Sequence, residues 1–222
     1  MENTDARKPG HGAWGEDMDH AVALVEAYLQ INGYFTVAEY PVIESFGKQH
    51  YGAATDLDIL AFRFPGAGRL VPGSGGNVLF SPDPALGIDG DSADMLIGEV
   101  KEGHAELNRN ARNPDVLRTV LARFGCCSLH EVDKTVQQLI NKGKAVTHAG
   151  HRVRLMAFGS SNGPSPHGRN STLTLDHIAG FIEGYLDQHW KVLRQAQFKH
   201  PALGLFMVLE KARREAGNRR KK

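Results

Sequence analysis

The chain has 222 residues and a formal net charge of +1, with 41% hydrophobic and 23% charged residues. This composition is typical of a folded globular protein, and no run approaches the roughly 18 consecutive apolar residues that a membrane-spanning helix needs. The first ten residues lack the apolar core of a signal peptide, so we expect a cytoplasmic protein with no membrane partner. A net charge near zero gives no overall sign of a nucleic-acid partner, so the local distribution of charge has to be considered.

The first predicted elements are a helix and an edge strand. Residues 1–15 are glycine-rich and polar and are predicted to form a flexible N-terminus. From Glu16 to Asn32 apolar residues recur at helical spacing, and Asn32-Gly33 is a typical helix end. Thr36–Ser45 then predicts a strand at the edge of a sheet, because Pro41 cannot donate a ladder hydrogen bond.

Two further predicted strands carry charges inside otherwise apolar segments. Thr55–Phe62 contains Asp58 near its start, and Met95–Lys101 contains Glu99 and ends in a lysine. Burial of an unpaired carboxylate costs several kcal/mol or more, so these charges require a partner or a metal ion. If the two strands pair, their facing side chains lie about 4.5–5.5 Å apart at the Cβ atoms. Asp58 and Glu99 would then converge on one cation, with Lys101 beside them.

A long loop separates these two strands. Residues 66–93 are rich in glycine and proline and contain no alternating run long enough for a central strand. We therefore predict a loop insertion, and a connection of this length is more often functional or mobile than purely structural.

The segment that follows Lys101 predicts two helices and a strand. The helices are expected at Asp115–Phe124 and Leu129–Asn141, and the strand at Arg152–Ser160. The arginines that come soon after the Glu-Val-Lys segment are candidates for contacts with a phosphate backbone: Arg109, Arg112, Arg118 and Arg123.

The C-terminal third of the chain is predicted to be helical. Thr174–Leu193 and Pro201–Glu215 are amphipathic, and we expect residues 171–216 to pack on the core or to form the face of a homodimer. Seven of the last twelve residues are basic. We interpret residues 217–222 as a basic tail whose phosphate-binding candidates are Arg219, Arg220, Lys221 and Lys222.

An aspartate at the start of one strand and a Glu-x-Lys motif on the next resemble the PD-(D/E)xK nucleases, the restriction-endonuclease-like phosphodiesterases. The predicted order of a helix, three strands, helices and a further strand is the αβββαβ core of that family, an α/β fold with a central mixed sheet. The resemblance covers residues 16–170 and leaves a helical C-terminal extension. It implies a Mg²⁺- or Mn²⁺-dependent nuclease whose partner is nucleic acid, with DNA as the expected substrate.

The resemblance also implies roles for individual residues. Asp58, Glu99 and Lys101 would be catalytic, and the metal ligands would be Asp58, Glu99 and the Val100 carbonyl. Three further residues are assigned auxiliary roles at the site: Glu26, Asp56 and Gln137. Pro82-Asp83 also precedes the Glu-Val-Lys motif, but we reject Asp83 because prolines flank it within the loop.

Two other interpretations of these residues stay open. The two helices and the strand that follows them are similar to a helix-turn-helix with a wing, which favours a non-catalytic nucleic-acid-binding module with a vestigial acidic site. Alternatively, Glu99 and Lys101 form a structural salt bridge at a strand end. Divalent-metal binding separates a nuclease from the salt bridge, and DNA binding without cleavage indicates the binding module.

Overall fold

The computed structural model of the chain describes residues 19–45, 51–71, 78–162 and 171–219. Within these ranges the protein is an α/β structure in which a mixed six-stranded sheet lies between two layers of helices. The predicted α/β class and the predicted mixed sheet are confirmed. The predicted flexible N-terminus, residues 1–15, lies outside the described residues.

The elements follow the chain in an order close to the one predicted. They are α1 (His20–Ile31), β1 (Phe35–Ser45), β2 (Tyr51–Arg63), β3 (Asp94–Ala105), α2 (Pro114–Phe124), α3 (Val132–Lys142), β4 (Lys144–Val146), β5 (Arg152–Asn162), β6 (Ser171–Thr174), α4 (Leu175–Gln188), α5 (Trp190–Leu193) and α6 (Pro201–Arg219). The sequence did not predict β4 and β6, because three- and four-residue strands are too short for a period-2 pattern to be recognised. Helix α6 runs on into the basic tail, to Arg219.

The strand order in the sheet is β1-β2-β3-β5-β4, and β6 pairs with β5. Strands β1, β2 and β3 are antiparallel neighbours, whereas β5 runs parallel to β3. Strand β4 pairs antiparallel with the first part of β5, and β6 pairs parallel with its later part. The stretch that resembles a wing in the sequence is therefore the inner strand β5, held between β3 and these two short strands.

The sheet separates two hydrophobic clusters, and β3 contributes to both. Leu96 packs in the cluster beneath α1, α4 and α6, whereas Met95 and Ile97 pack in the cluster beneath α2 and α3. All residues from Asp94 to Val100 are buried, as expected for a strand covered on both faces. By alternation, Glu99 lies on the face that carries α2 and α3.

A glycine in β3 makes room for a side chain of β2 just before the charged residues. Gly98 pairs with Ile59, and a Cβ atom built on Gly98 would lie 2.4 Å from Cγ2 of Ile59. A side chain at this position would collide with the Ile59 side chain, which would have to move. The residue that precedes Glu99 is therefore fixed by packing.

The C-terminal helices pack on the core, in the layer formed around α1. Helices α4 and α6 both contact α1, and Ile178, Ile182 and Met207 are buried in the first cluster. Leu205, Val208 and Leu209, on the outer side of α6, stay exposed. No helix within the described ranges is both long and apolar enough to cross a membrane.

Candidate active site

The candidate site lies where β2 and β3 separate. Ile59 and Gly98 form the last pair of the β2–β3 ladder, and immediately beyond it Oδ2 of Asp58 accepts a hydrogen bond from the Val100 backbone N–H at 2.7 Å. The Asp58 carboxylate thus binds β3 at the point where backbone pairing stops. On the other side of β2, the β1 residue Glu39 has φ of 51°, an uncommon backbone conformation for a non-glycine residue.

Glu99 is completely buried, and its two oxygens are in different situations. Oε1 accepts hydrogen bonds from the Lys101 ammonium and from Nδ2 of Asn108, the latter at 2.5 Å. Oε2 has no hydrogen-bond partner among the residues that the structure describes. Folded proteins rarely leave a buried carboxylate oxygen unsatisfied. This oxygen is therefore the atom of the site that most clearly requires a ligand.

The charged forms of both carboxylates are disfavoured at this site, mainly by burial. Burial raises the pKa of Glu99, and the nearby charge of Asp58 raises it further, against the opposing effects of Lys101 and Asn108. Burial also raises the pKa of Asp58, although the Val100 N–H and the charge of Lys101 oppose the shift. A single lysine thus does not compensate the two carboxylates, and a further cation would stabilise both charged forms.

Lys101 stays a cation in this setting. Burial alone would lower the pKa of its ammonium group, but the hydrogen bond and the charge of Glu99 outweigh burial, and the pKa is raised. The Lys101 side chain is 38% exposed, so it reaches from the buried carboxylate toward the solvent. A ligand that binds at the surface would therefore contact the protonated Lys101 amine.

The residues present fit a magnesium-like ion. No group of three or more His, Cys, Asp or Glu side chains in the described ranges could hold a metal ion by itself. Mg²⁺ commonly uses only one or two carboxylates and completes its coordination with water and substrate phosphates. Asp58 and Glu99 supply two carboxylates. The further predicted ligand, the Val100 carbonyl, belongs to the residue between Glu99 and Lys101.

The auxiliary residues predicted from the sequence lie in different places. Asp56 is exposed, and its charge contributes to the raised pKa of Asp58, which places it close to the site. Glu26 instead lies 3.7 Å from Nε2 of His200, between α1 and α6. Gln137 is exposed on α3 and makes no hydrogen bond with Asp58, Glu99 or Lys101.

Asp19 and Asn108 lie near the site and were not predicted from the sequence. Asp19 caps α1, accepting hydrogen bonds from the Ala21 and Val22 N–H groups, and its charge raises the pKa of Asp58. Its position just before the apolar helical pattern was a usable cap signal. Asn108 lies in the loop after β3, and no local pattern indicated that it would reach Glu99.

The four predicted arginines differ in their surroundings. Arg118 is paired with Asp115 and Asp133, which leaves it less free to bind another anion. Arg109 and Arg112 are exposed and line an open depression that Asn108 connects to Glu99. Neither of these two forms an ion pair with any residue the structure describes.

Arg123 is exposed near the end of α2. Arg219 is the last residue of α6. Arg220, Lys221 and Lys222 lie outside the described residues.

Asp83, the aspartate rejected on sequence grounds, lies apart from the acidic pair. Its Oδ2 accepts a hydrogen bond from the Tyr28 hydroxyl at 2.8 Å and lies 2.6 Å from Nε2 of His177. It also caps the short 3₁₀ turn Pro84–Leu86. Asp83 thus holds the long loop against α1 and α4.

Comparison of the chain with protein-family models, with curated proteins and with solved structures found no match in any of the three.

Proposed function

We propose that the protein is a divalent-metal-dependent phosphodiesterase of the PD-(D/E)xK nuclease type that hydrolyses nucleic acid, with DNA as the expected substrate. The observation that carries the proposal is Oε2 of Glu99, which is buried and has no hydrogen-bond partner among the described residues, next to Asp58 and Lys101 where β2 and β3 separate. The topology supports it, because three antiparallel strands are followed by a strand parallel to β3, in agreement with the αβββαβ order that the resemblance implies.

In this proposal Asp58, Glu99 and the Val100 carbonyl would hold Mg²⁺ or Mn²⁺. The bound ion would lower the pKa of a coordinated water and neutralise charge on the phosphate. Lys101 stabilises the negative charge that develops on the phosphoryl oxygens, because its ammonium is protonated and reaches the solvent. Asn108 helps to fix the Glu99 carboxylate through Oε1, so that Oε2 keeps a defined position.

The direct test is incubation of the purified protein with plasmid, linear, single-stranded and branched DNA, with Mg²⁺ or Mn²⁺ and with EDTA. Metal-dependent cleavage that is lost in Glu99→Gln supports the proposal. Binding of DNA without cleavage would instead select the non-catalytic module with a vestigial acidic site. If the protein neither binds nor cleaves DNA, the proposed function on nucleic acid is wrong.

Metal binding is expected to raise the melting temperature of the parent protein. An ion that binds only the folded state, at ten times its dissociation constant, adds about 1.4 kcal/mol to the free energy of unfolding. For a domain of this size that corresponds to roughly 3–6 °C. Differential scanning fluorimetry with Mg²⁺ and Mn²⁺ measures the shift.

Two variants control the metal experiment. Asp58→Asn removes one proposed ligand and is expected to abolish the shift. Asp91→Asn makes the same chemical change at an exposed position in the loop before β3, and it should respond to metal as the parent does. Equal shifts in all three proteins would mean that the ion binds elsewhere.

The depression lined by Arg109 and Arg112 is expected to hold the phosphate backbone. Replacing each arginine by alanine should weaken DNA binding and reduce the slope of log affinity against log salt by about 0.9 per lost contact on duplex DNA. Turnover at saturating DNA should be preserved, since neither residue bonds to Asp58 or Glu99. Fluorescence anisotropy at several salt concentrations measures both quantities.

Lys191→Ala is the matched control, because Lys191 is an exposed cation on α5, in the opposite helical layer. Its affinity and salt slope should equal those of the parent. If the two arginine variants also keep the parent slope, the DNA follows another path over the surface.

A further inference from the structure

Strand β3 contains an irregularity just beyond Lys101. Lys101 pairs with Gly159 of β5, and the next pair along the ladder joins His104 to Ser161. Three steps along β3 therefore match two steps along β5. An extra residue of this kind is a β-bulge, and bulges often occur next to active sites, where they change the direction of a side chain.

The bulge is held in place by specific contacts. A Cβ atom on Gly159 would lie 2.5 Å from the Ala105 nitrogen and 2.8 Å from the Gly103 oxygen, so the bulged backbone rests directly on this glycine. The Ser160 hydroxyl donates a hydrogen bond to the Glu102 carbonyl at 2.5 Å. The irregular segment is thus fixed on β5 at several points.

The bulge reverses the face on which His104 lies. In a regular strand His104 would share the face of Gly98 and Val100. Its partner Ser161 shares the face of Leu155, which packs in the cluster beneath α2 and α3. Paired residues of parallel strands lie on the same face, so His104 joins the face that carries Glu99 and Lys101. Ser161 lies two residues beyond Gly159 along β5. The His104–Ser161 pair therefore lies about 7 Å along the strand from the Lys101–Gly159 pair.

The chemistry of the His104–Ser161 pair suits an anion. Nδ1 of His104 and Oγ of Ser161 are 2.7 Å apart, in an exposed position. If the serine donates to Nδ1, the histidine Nε2–H is free to donate outward. If Nδ1 donates to the serine, the serine O–H is free instead. In either tautomer the pair retains one hydrogen-bond donor for a ligand.

We propose that His104 and Ser161 form a phosphate subsite, which binds the nucleic-acid backbone at a phosphate adjacent to the one at Asp58, Glu99 and Lys101. This inference rests on the proposed function. It adds a contact that the Glu-x-Lys motif does not contain and assigns the strand end beyond Lys101 to substrate binding. The bulge fixed by Gly159 is the device that brings the pair onto this face.

The test measures DNA affinity and cleavage separately. In EDTA, His104→Ala should bind a labelled DNA oligonucleotide about tenfold more weakly than the parent, the effect of one hydrogen bond to a charged group. His104→Arg keeps an outward donor and should bind within a few-fold of the parent. In Mg²⁺, His104→Ala should raise KM by a similar factor and leave kcat at saturating DNA nearly unchanged.

His148→Ala is the matched control, because His148 is exposed in the turn before β5, at the opposite end of that strand. It should equal the parent in every measurement. His104→Asn serves as a second variant if His104→Ala melts at a lower temperature than the parent.

The outcomes separate the subsite from the proposed function. If the parent cleaves DNA and the His104 variants bind it as tightly as the parent, the subsite is wrong and the nuclease assignment stands. If the parent binds DNA without cleaving it and His104→Ala binds more weakly, the subsite stands and the nuclease assignment fails. If the parent binds no DNA, both are overturned.

Discussion

Asp58→Asn, Glu99→Gln and Lys101→Ala are each expected to lower metal-dependent DNA cleavage by at least a hundred- to a thousandfold, the usual effect of removing one group that stabilises transition-state charge. The three side chains lie at one site, because Asp58 accepts a hydrogen bond from the backbone of Val100, which lies between Glu99 and Lys101, and Lys101 binds Glu99. Loss of any member should therefore have a large effect, and double variants should lose little more than single ones. Initial cleavage rates at saturating DNA measure the loss.

The same substitutions at the two carboxylates should leave the fold as stable as the parent or slightly more stable. Both carboxyl groups have a raised pKa, mainly because burial disfavours the charged form, so the folded protein bears a cost for their ionisation at neutral pH. Asn and Gln keep nearly the same shape and remove that charge. Thermal melting in EDTA measures the effect, and unchanged circular dichroism checks the fold.

The raised pKa values also predict how stability changes with pH. A carboxyl group whose pKa is higher in the folded state favours folding most when it is protonated, below its ordinary pKa of about 4. Its contribution is then lost as the pH rises through the folded-state pKa. The free energy of unfolding of the parent should therefore fall over this interval by more than that of Glu99→Gln. Denaturant titrations across the acid range measure the difference.

A structural salt bridge would give the opposite results. In that case all three variants would melt several degrees lower than the parent, and Mg²⁺ would leave the parent unchanged. The metal experiment and the stability measurements thus distinguish a metal site from a structural salt bridge independently of each other.

The charged strands were predictable because their pattern is local. Met95–Lys101 is apolar on both faces apart from its last charges, and the structure buries Asp94–Val100 as that pattern requires. The mutual approach of Asp58 and Glu99 also followed, since consecutive strands are usually neighbours in a sheet. These predictions needed only the period of the side chains and the chain order.

Contacts made by loops and bulges were not predictable in this way. Asn108 reaches Glu99 from a loop, and the two acids that pair with Arg118 lie 3 and 15 residues away along the chain. The bulge at His104 depends on Gly159, a residue of another strand. A pattern read along one segment cannot contain such information, because the geometry is set by packing between distant segments.

Asp94→Asn is expected to lower the free energy of unfolding by about 3–5 kcal/mol, the effect of breaking a buried ion pair by removing one partner. Asp94 is completely buried and binds Arg154 through both oxygens, with Nε at 2.9 Å and Nη2 at 2.5 Å. The Tyr34 hydroxyl donates a further hydrogen bond to it at 2.5 Å. Asparagine would leave the Arg154 guanidinium buried without a counter-charge. Chemical denaturation at neutral pH measures the loss, with the exposed Asp91→Asn as the control.

The comparison of Asp94 with Glu99 distinguishes a structural charge from a functional one on the same strand. Both carboxylates are fully buried, and they lie five positions apart, about 16 Å along the strand. Both oxygens of Asp94 are satisfied, whereas Oε2 of Glu99 has no partner among the described residues. We therefore expect Asp94→Asn to reduce the stability of the fold and, below its melting temperature, to keep metal-dependent cleavage. Glu99→Gln should instead lose cleavage and keep the stability of the parent. A stable Asp94→Asn together with a destabilised Glu99→Gln would reverse these assignments and make the Glu99–Lys101 pair the structural one.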